Sequence, residues 1–135
     1  MRDSVFLDTN IIIYLYSEGE DDKRDTAYKF VNNADCVTSI QAMKEVGNVR
    51  LRKYSLSKDE ISRYLDEIKL VCDDVLLVKR KTINQALELR ERYGYSFYDC
   101  LMLTSALEAG CNIILTEDMN DGQVISGILK ILNPC

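Results

Sequence analysis

The sequence predicts an α/β fold with a mainly parallel sheet of about five strands, and three observations lead there. Short apolar runs alternate with longer amphipathic stretches, the pattern of βαβ units. The helical stretches carry capping signals at their starts, and the most apolar of them ends in a glycine. Acidic residues recur where a strand hands over to a helix, which is the edge where open α/β sheets hold their ligands.

Residues 4–7 (Ser-Val-Phe-Leu) read as a buried strand ending at Asp8. A short helix over 10–16 follows and breaks at 17–19; a second, over 22–33, puts Ala27, Phe30 and Val31 on one face. Residues 36–38 form a short strand, after which Thr38 or Ser39 caps a helix running to about Tyr54. Ser57-Lys58-Asp59-Glu60 is a capping box for a helix that turns Ile61, Leu65, Ile68 and Leu70 or Val71 inward. Asp73-Asp74 ends it, 75–78 is a strand, and 80–93 is an amphipathic helix through Ile83, Leu87 and Leu89 or Arg90. A second box, Ser96-Phe97-Tyr98-Asp99, opens a helix over 97–109 that Gly110 stops at the C′ position. Strands at 111–115 and about 128–132 complete the chain.

At 135 residues the chain is expected to be one domain, 1–135, with a sizeable core. No repeat, low-complexity tract or Pro/Gly-rich linker divides it. A hydrophobic fraction of 47% and a single Pro exclude a disordered chain. The five Cys occur singly, without CxxC or Cys/His spacing, which points to reduced, buried thiols and away from zinc. The first apolar run is too short for a secretion signal, and no stretch approaches the ~20 apolar residues of a membrane span. A soluble, cytoplasmic protein is the expectation.

Four acids stand out: Asp8, Glu45, Asp99 and Asp118, in a chain with no histidine. Asp8 and Asp118 directly follow strands; Glu45 and Asp99 lie near helix starts that could lean over the same sheet edge. Two carboxylates ~4 Å apart repel by ~4 kcal/mol at an effective dielectric near 20, so four converging acids need protons or a cation. A hard divalent metal such as Mg²⁺ fits carboxylate oxygens, and phosphodiester hydrolysis through such a metal needs no histidine. The net charge of −5 therefore does not exclude nucleic acid, because acidic ligands count against the total until metal fills them. Taken singly, each acid has a plainer reading. Asp8 could be an N-cap, Glu45 a solvated helix residue, Asp99 the third residue of a capping box, and Asp118 a turn residue.

As a set and in this order, these residues resemble the PIN-domain ribonucleases, most of all the VapC-type toxins of toxin–antitoxin pairs. The matching segments are Phe6-Leu7-Asp8-Thr9-Asn10-Ile11, Thr38-Ser39-Ile40 leading to Glu45, Tyr98-Asp99-Cys100-Leu101 with Ala106, and Leu115-Thr116-Glu117-Asp118. The closing Ile131-Leu132-Asn133-Pro134 is also similar, so the resemblance spans essentially the whole length. It implies a three-layer α/β/α sandwich and a Mg²⁺- or Mn²⁺-dependent endoribonuclease. In that reading Asp8 and Asp99 ligate metal directly, Glu45 and Asp118 complete the shell, and Thr9, Asn10 and Thr116 line the site. Glu117, Asp118 and Asp121 are close enough in sequence that any of them could supply the fourth acid. The resemblance further implies a homodimer and an antitoxin partner, with Ile12, Tyr16 and the 57–71 helix as candidate surfaces.

For the RNA backbone, Lys44, Arg50, Arg52 and Lys53 share a helix with Glu45, and Lys79-Arg80-Lys81 is a second basic run. Either group could also be an ordinary solvated face. Among the eight Tyr, Tyr14, Tyr16, Tyr54 and Tyr95 lie near element ends, where a ring could stack on a base or simply fill the core. Phosphoaspartate phosphatases are disfavoured, since they need Asp-x-Asp after the first strand and the triplet here is Asp8-Thr9-Asn10. A receiver domain is disfavoured because the middle strand ends in Val78-Lys79. A catalytically silent PIN-like domain that binds RNA or protein is the remaining alternative, and retention of all four acids counts against it.

Overall fold

The computed structural model describes residues 3–16, 21–53, 57–72 and 74–134. The expected break at 17–19, Tyr54 and Cys135 lie outside these, as do the side chains of Tyr16, Arg50, Arg52, Lys53, Leu70 and Val71. The elements run β1 (Asp3–Leu7), α1 (Thr9–Tyr16), α2 (Asp21–Asn32), β2 (Ala34–Ser39), α3 (Ile40–Lys53), α4 (Lys58–Val71) and β3 (Asp74–Leu76). Then come α5 (Arg80–Tyr93), α6 (Phe97–Glu108), β4 (Ile113–Leu115), β5 (Val124–Ile125) and β6 (Leu129–Leu132).

The strands form a six-stranded sheet in the order β3-β2-β1-β4-β6-β5. Every pairing is parallel except the β5–β6 hairpin. Val5, Phe6 and Leu7 of β1 are all buried, as a central strand covered on both faces requires. Helices flank the sheet in an α/β/α sandwich: α1 packs on α2 and α3, and α3 on α4, while α5 packs on α6, which lies against β2, β4 and β6. The sixth strand, β5, is two residues long and pairs through the turn Ser126-Gly127, both at positive φ. A primed hairpin turn needs that backbone geometry.

Local chemistry accounts for the helix ends. Ser57 and Glu60 form the expected reciprocal box, with bonds of 3.2 and 3.3 Å. At the end of α6 the chain closes as a Schellman motif. Cys111 N donates to Ala106 O, Gly110 N donates to Leu107 O, and Gly110 takes φ +75°.

Two expectations are corrected. In α5 the inward residues are Thr82, Ala86 and Leu89, while Ile83 and Leu87 are 39% and 49% exposed. Small residues let α5 lie close on α6, and Thr82 is fixed there by donating to Glu108 Oε2 at 3.0 Å. Ile12 is no surface residue. With Ile11, Ile13 and Leu15 it is buried, making α1 apolar nearly all round. Each such fully buried aliphatic side chain contributes roughly 1.5–3 kcal/mol.

Candidate metal centre

The chain leaves β1, winds outward through β2 and β3, then returns to set β4 on the other side of β1. The β1–β4 seam is thus the topological switch point, where the connections diverge and a crevice opens at the carboxyl edge. Asp8 is the first residue beyond β1, and its N–H donates to Leu115 O at 3.1 Å. Thr116 is the first beyond β4. Its hydroxyl donates to Asp8 Oδ2 at 2.7 Å and accepts from the Asp118 N–H at 3.2 Å. One buried hydroxyl thereby ties together acids that are 110 positions apart in sequence.

Asp8 serves as helix cap and site residue together. Its carbonyl accepts from Ile12 N as α1 begins, and its Oδ1 accepts from Thr9 N at 2.7 Å. Asp99 arrives on the first turn of α6, where Ser96 Oγ accepts from its N–H at 3.1 Å. Asp118, in the exposed loop after β4, accepts from Asn10 Nδ2 at 3.4 Å. One oxygen from each of Asp8, Asp99 and Asp118 lies within 4.8 Å of the others.

Glu45 stands beside this trio and not in it. Thr9 Oγ1 donates to its Oε2 at 2.6 Å and Gln41 Nε2 to its Oε1 at 3.1 Å, so each oxygen has its own donor. All four acids line one cavity of about 200 Å³ with Thr9, Asn10, Asn48, Tyr98 and Met102.

Neighbouring acids in the β4 loop are engaged elsewhere. Glu117 pairs with Lys23 at 3.4 Å, and Lys23 also donates to Tyr14 Oη at 3.3 Å. Asp121 Oδ1 accepts from Asn133 N at 2.9 Å. Tyr95 braces the same loop, donating to Gln123 Oε1 and accepting from Asn120 N. Of the three candidates for a fourth acid, Asp118 is the one that turns into the cavity.

Charge crowding is visible in the acidities. Burial pushes Asp8 up to about 6, and the Asp118 and Asp99 charges add to it against the bonds from Thr116 and Thr9. Asp99 is raised by burial and by Asp118 and Glu45; Asp118 by burial, Glu117 and Glu45. Among the described residues no Lys or Arg forms an ion pair with any of the three. The donor set contains oxygen and neither nitrogen nor sulfur. Cys100 is buried, with its thiol on Tyr95 O at 3.7 Å. An oxygen-only, anionic, partly buried cluster is chemically suited to a hard divalent cation.

The remaining expectations divide. Lys44 is exposed on α3, and Arg50, Arg52 and Lys53 continue that helix in backbone. Lys79, Arg80 and Lys81 are exposed just after β3, two strands from the seam. Gln41, Asn48, Tyr98 and Met102 join the site unforeseen. The signal for Gln41, Asn48 and Met102 is helical spacing, at four before and three after Glu45 and three after Asp99, while Tyr98 stood in the Tyr98-Asp99 match without a role in the site.

Comparison with known proteins agrees with this geometry. No curated protein sequence matches the chain. Among solved structures, VapC20 of Mycobacterium tuberculosis, a sarcin–ricin-loop-cleaving toxin, is 22% identical with a TM-score of 0.66, covering 82% of this chain and 86% of its own. A toxin–antitoxin complex from Klebsiella pneumoniae is 19% identical with a TM-score of 0.68, covering 97% and 98%. VapBC2 of Rickettsia felis, bound to a promoter DNA fragment, is 20% identical with a TM-score of 0.67, covering 96% and 99%. At these identities the likeness is one of fold. The PIN domain profile matches residues 5–120, from within β1 to just past Asp118. With the acid-lined β1–β4 seam inside that span, the chain belongs to the PIN domain family.

Proposed function

We propose that the protein is a Mg²⁺- or Mn²⁺-dependent endoribonuclease and the toxin of a type II toxin–antitoxin pair. The observation that carries this is the convergence of Asp8, Asp99 and Asp118 within 4.8 Å, at the switch point of a PIN-domain sheet. PIN domains are nucleases, and the solved relatives named above are toxins or toxin–antitoxin complexes. Asp8, Asp99 and Asp118 would hold the metal, which when bound supplies Lewis-acid polarisation of a phosphate oxygen and a more acidic water.

The chain's own residues do the rest. Thr116 fixes the Asp8 carboxylate and the Asp118 backbone. Thr9 and Gln41 each donate to Glu45 and fix its carboxylate beside the trio, where it can orient a water and take its proton. Asn10 steadies Asp118. Lys44, with Arg50, Arg52 and Lys53 further along α3, would hold the RNA backbone. An antitoxin and a second copy of the chain are the partners this reading brings, and both would act in the cytoplasm.

Cleavage of a pool of structured cellular RNAs tests the proposal, with wild type, Asp8→Asn and Asp99→Asn each assayed in Mg²⁺, Mn²⁺ and EDTA. Metal-dependent cutting by the wild type, lost in both variants, is expected. Cutting that survives both substitutions would overturn the site. Metal-dependent RNA binding without cutting would instead favour the catalytically silent alternative.

A further inference from the structure

The acid-lined cavity has a second side that the metal reading leaves unused. Tyr98, immediately before Asp99, is 58% exposed and lines the same cavity. More than half of this residue's surface lies in water beside the acids, where burial contributes little to folding. Its placement is nonetheless firm. Ser96 caps the first turn of α6, and Phe97, packed against the core, lies 5.7 Å from the Tyr98 ring at a tilt of 60°. One turn along α6, Met102 adds a buried thioether to the same wall. Asn48, exposed on α3 one turn beyond Glu45, lines the cavity too and offers an amide that can both donate and accept.

The cavity lining thus joins two chemistries: carboxylates, and an aromatic ring, a thioether and an amide. A phosphate held at the acids carries a sugar and base that reach the rest of this lining. A flat, polarisable ring and a hydrogen-bonding amide in one lining match a nucleobase, and only a base released from its pair can reach them. Building on the endoribonuclease reading above, we infer that Tyr98 is the specificity-determining platform on which an unpaired base next to the scissile phosphate stacks. Asn48 faces the edge of that base.

Three proteins test this: wild type, Tyr98→Phe and Tyr98→Ala, each also in a Glu45→Gln background, which keeps the three aspartates for the metal, so that binding is read without cleavage. The probe is single-stranded RNA of mixed sequence carrying 2-aminopurine, whose fluorescence is quenched by stacking, with the matching duplex as control. Tyr98→Phe is expected to keep the quenching and the affinity within about twofold. Tyr98→Ala is expected to lose the quenching and to bind roughly ten- to a hundredfold more weakly. In the active background the loss should be in KM more than in kcat. Circular dichroism that matches wild type would show that the variant folds. Equal quenching in Tyr98→Ala, or equal affinity for duplex and single strand, would overturn the inference while metal-dependent cutting continued. Ring-dependent quenching in a protein that never cuts would instead uphold the stacking platform and sink the nuclease reading.

Discussion

The Thr116 hydroxyl donates a 2.7 Å hydrogen bond to Asp8 Oδ2 across the β1–β4 seam, and the same oxygen accepts the Asp118 amide at 3.2 Å. Two of the three clustered acids therefore depend on one buried side chain that need not touch the metal. Replacing it with the near-isosteric valine removes the hydroxyl while keeping the volume. For Thr116→Val, Mn²⁺ titration followed by calorimetry should show roughly 10–100-fold weaker binding, the usual effect of losing a group that orients a ligand. Unchanged affinity would mean that the carboxylate is held by other contacts.

The acidity of Asp8 makes a prediction about pH. Its carboxyl titrates at about 6 in the folded chain against an ordinary value of 3.8. Between those values the folded state holds a proton that the unfolded state has released, so metal-free stability falls as pH rises through this window. At 1.36 kcal/mol per unit the effect is roughly 3 kcal/mol. The carboxyls of Asp99 and Asp118, also raised above the ordinary value by burial and neighbouring charge, act in the same direction. Thermal unfolding in EDTA from pH 4 to 7 should show the decline, and Asp8→Asn should flatten it. Saturating Mg²⁺ should oppose it, because metal binds the ionised form.

Choice among the three acids of the β4 loop is testable separately. Asp118→Asn should weaken Mn²⁺ binding at least tenfold. Asp121→Asn should leave binding within about twofold, since its carboxylate holds Asn133 N, and cost about 1 kcal/mol of stability. Glu117→Gln should behave like Asp121→Asn, because Glu117 faces Lys23 on α2. A tenfold loss in either of the last two would move the fourth acid along the loop.

Much of this was legible in the sequence because the signals are local. Val5-Phe6-Leu7 followed by Asp8 states a buried strand and its exit, and Ser57…Glu60 states a helix start. The convergence of Asp8, Asp99 and Asp118 was not legible from local signals, because it depends on β4 pairing with β1 and not with β3. The order of the acids in the chain supplied it through family resemblance. The sequence misled in α5, where Ile83 and Leu87 are the more apolar residues yet Thr82 and Ala86 face α6. Size at a close helix contact outweighed hydrophobicity there. Ala86→Leu should accordingly cost about 1–3 kcal/mol in urea unfolding, from overpacking, whereas Leu87→Ser should be nearly neutral.

Tyr98 was read only as part of the Tyr98-Asp99 match and not as a site residue, for the opposite reason. Within Tyr98-Asp99 the acid carries the signal, and nothing in the sequence tells a buried tyrosine from one left 58% exposed at the rim of a cavity.

The central claim is that the Asp8–Asp99–Asp118 cluster binds the metal on which RNA cleavage depends. The most direct test is to titrate Mn²⁺ into the metal-free protein by electron paramagnetic resonance and to assay RNA cleavage in the same samples. The account predicts that binding and cutting rise over the same range of Mn²⁺ concentration, and that Asp8→Asn removes both. Cutting at full rate in EDTA, or Mn²⁺ binding that Asp8→Asn leaves intact, would contradict it.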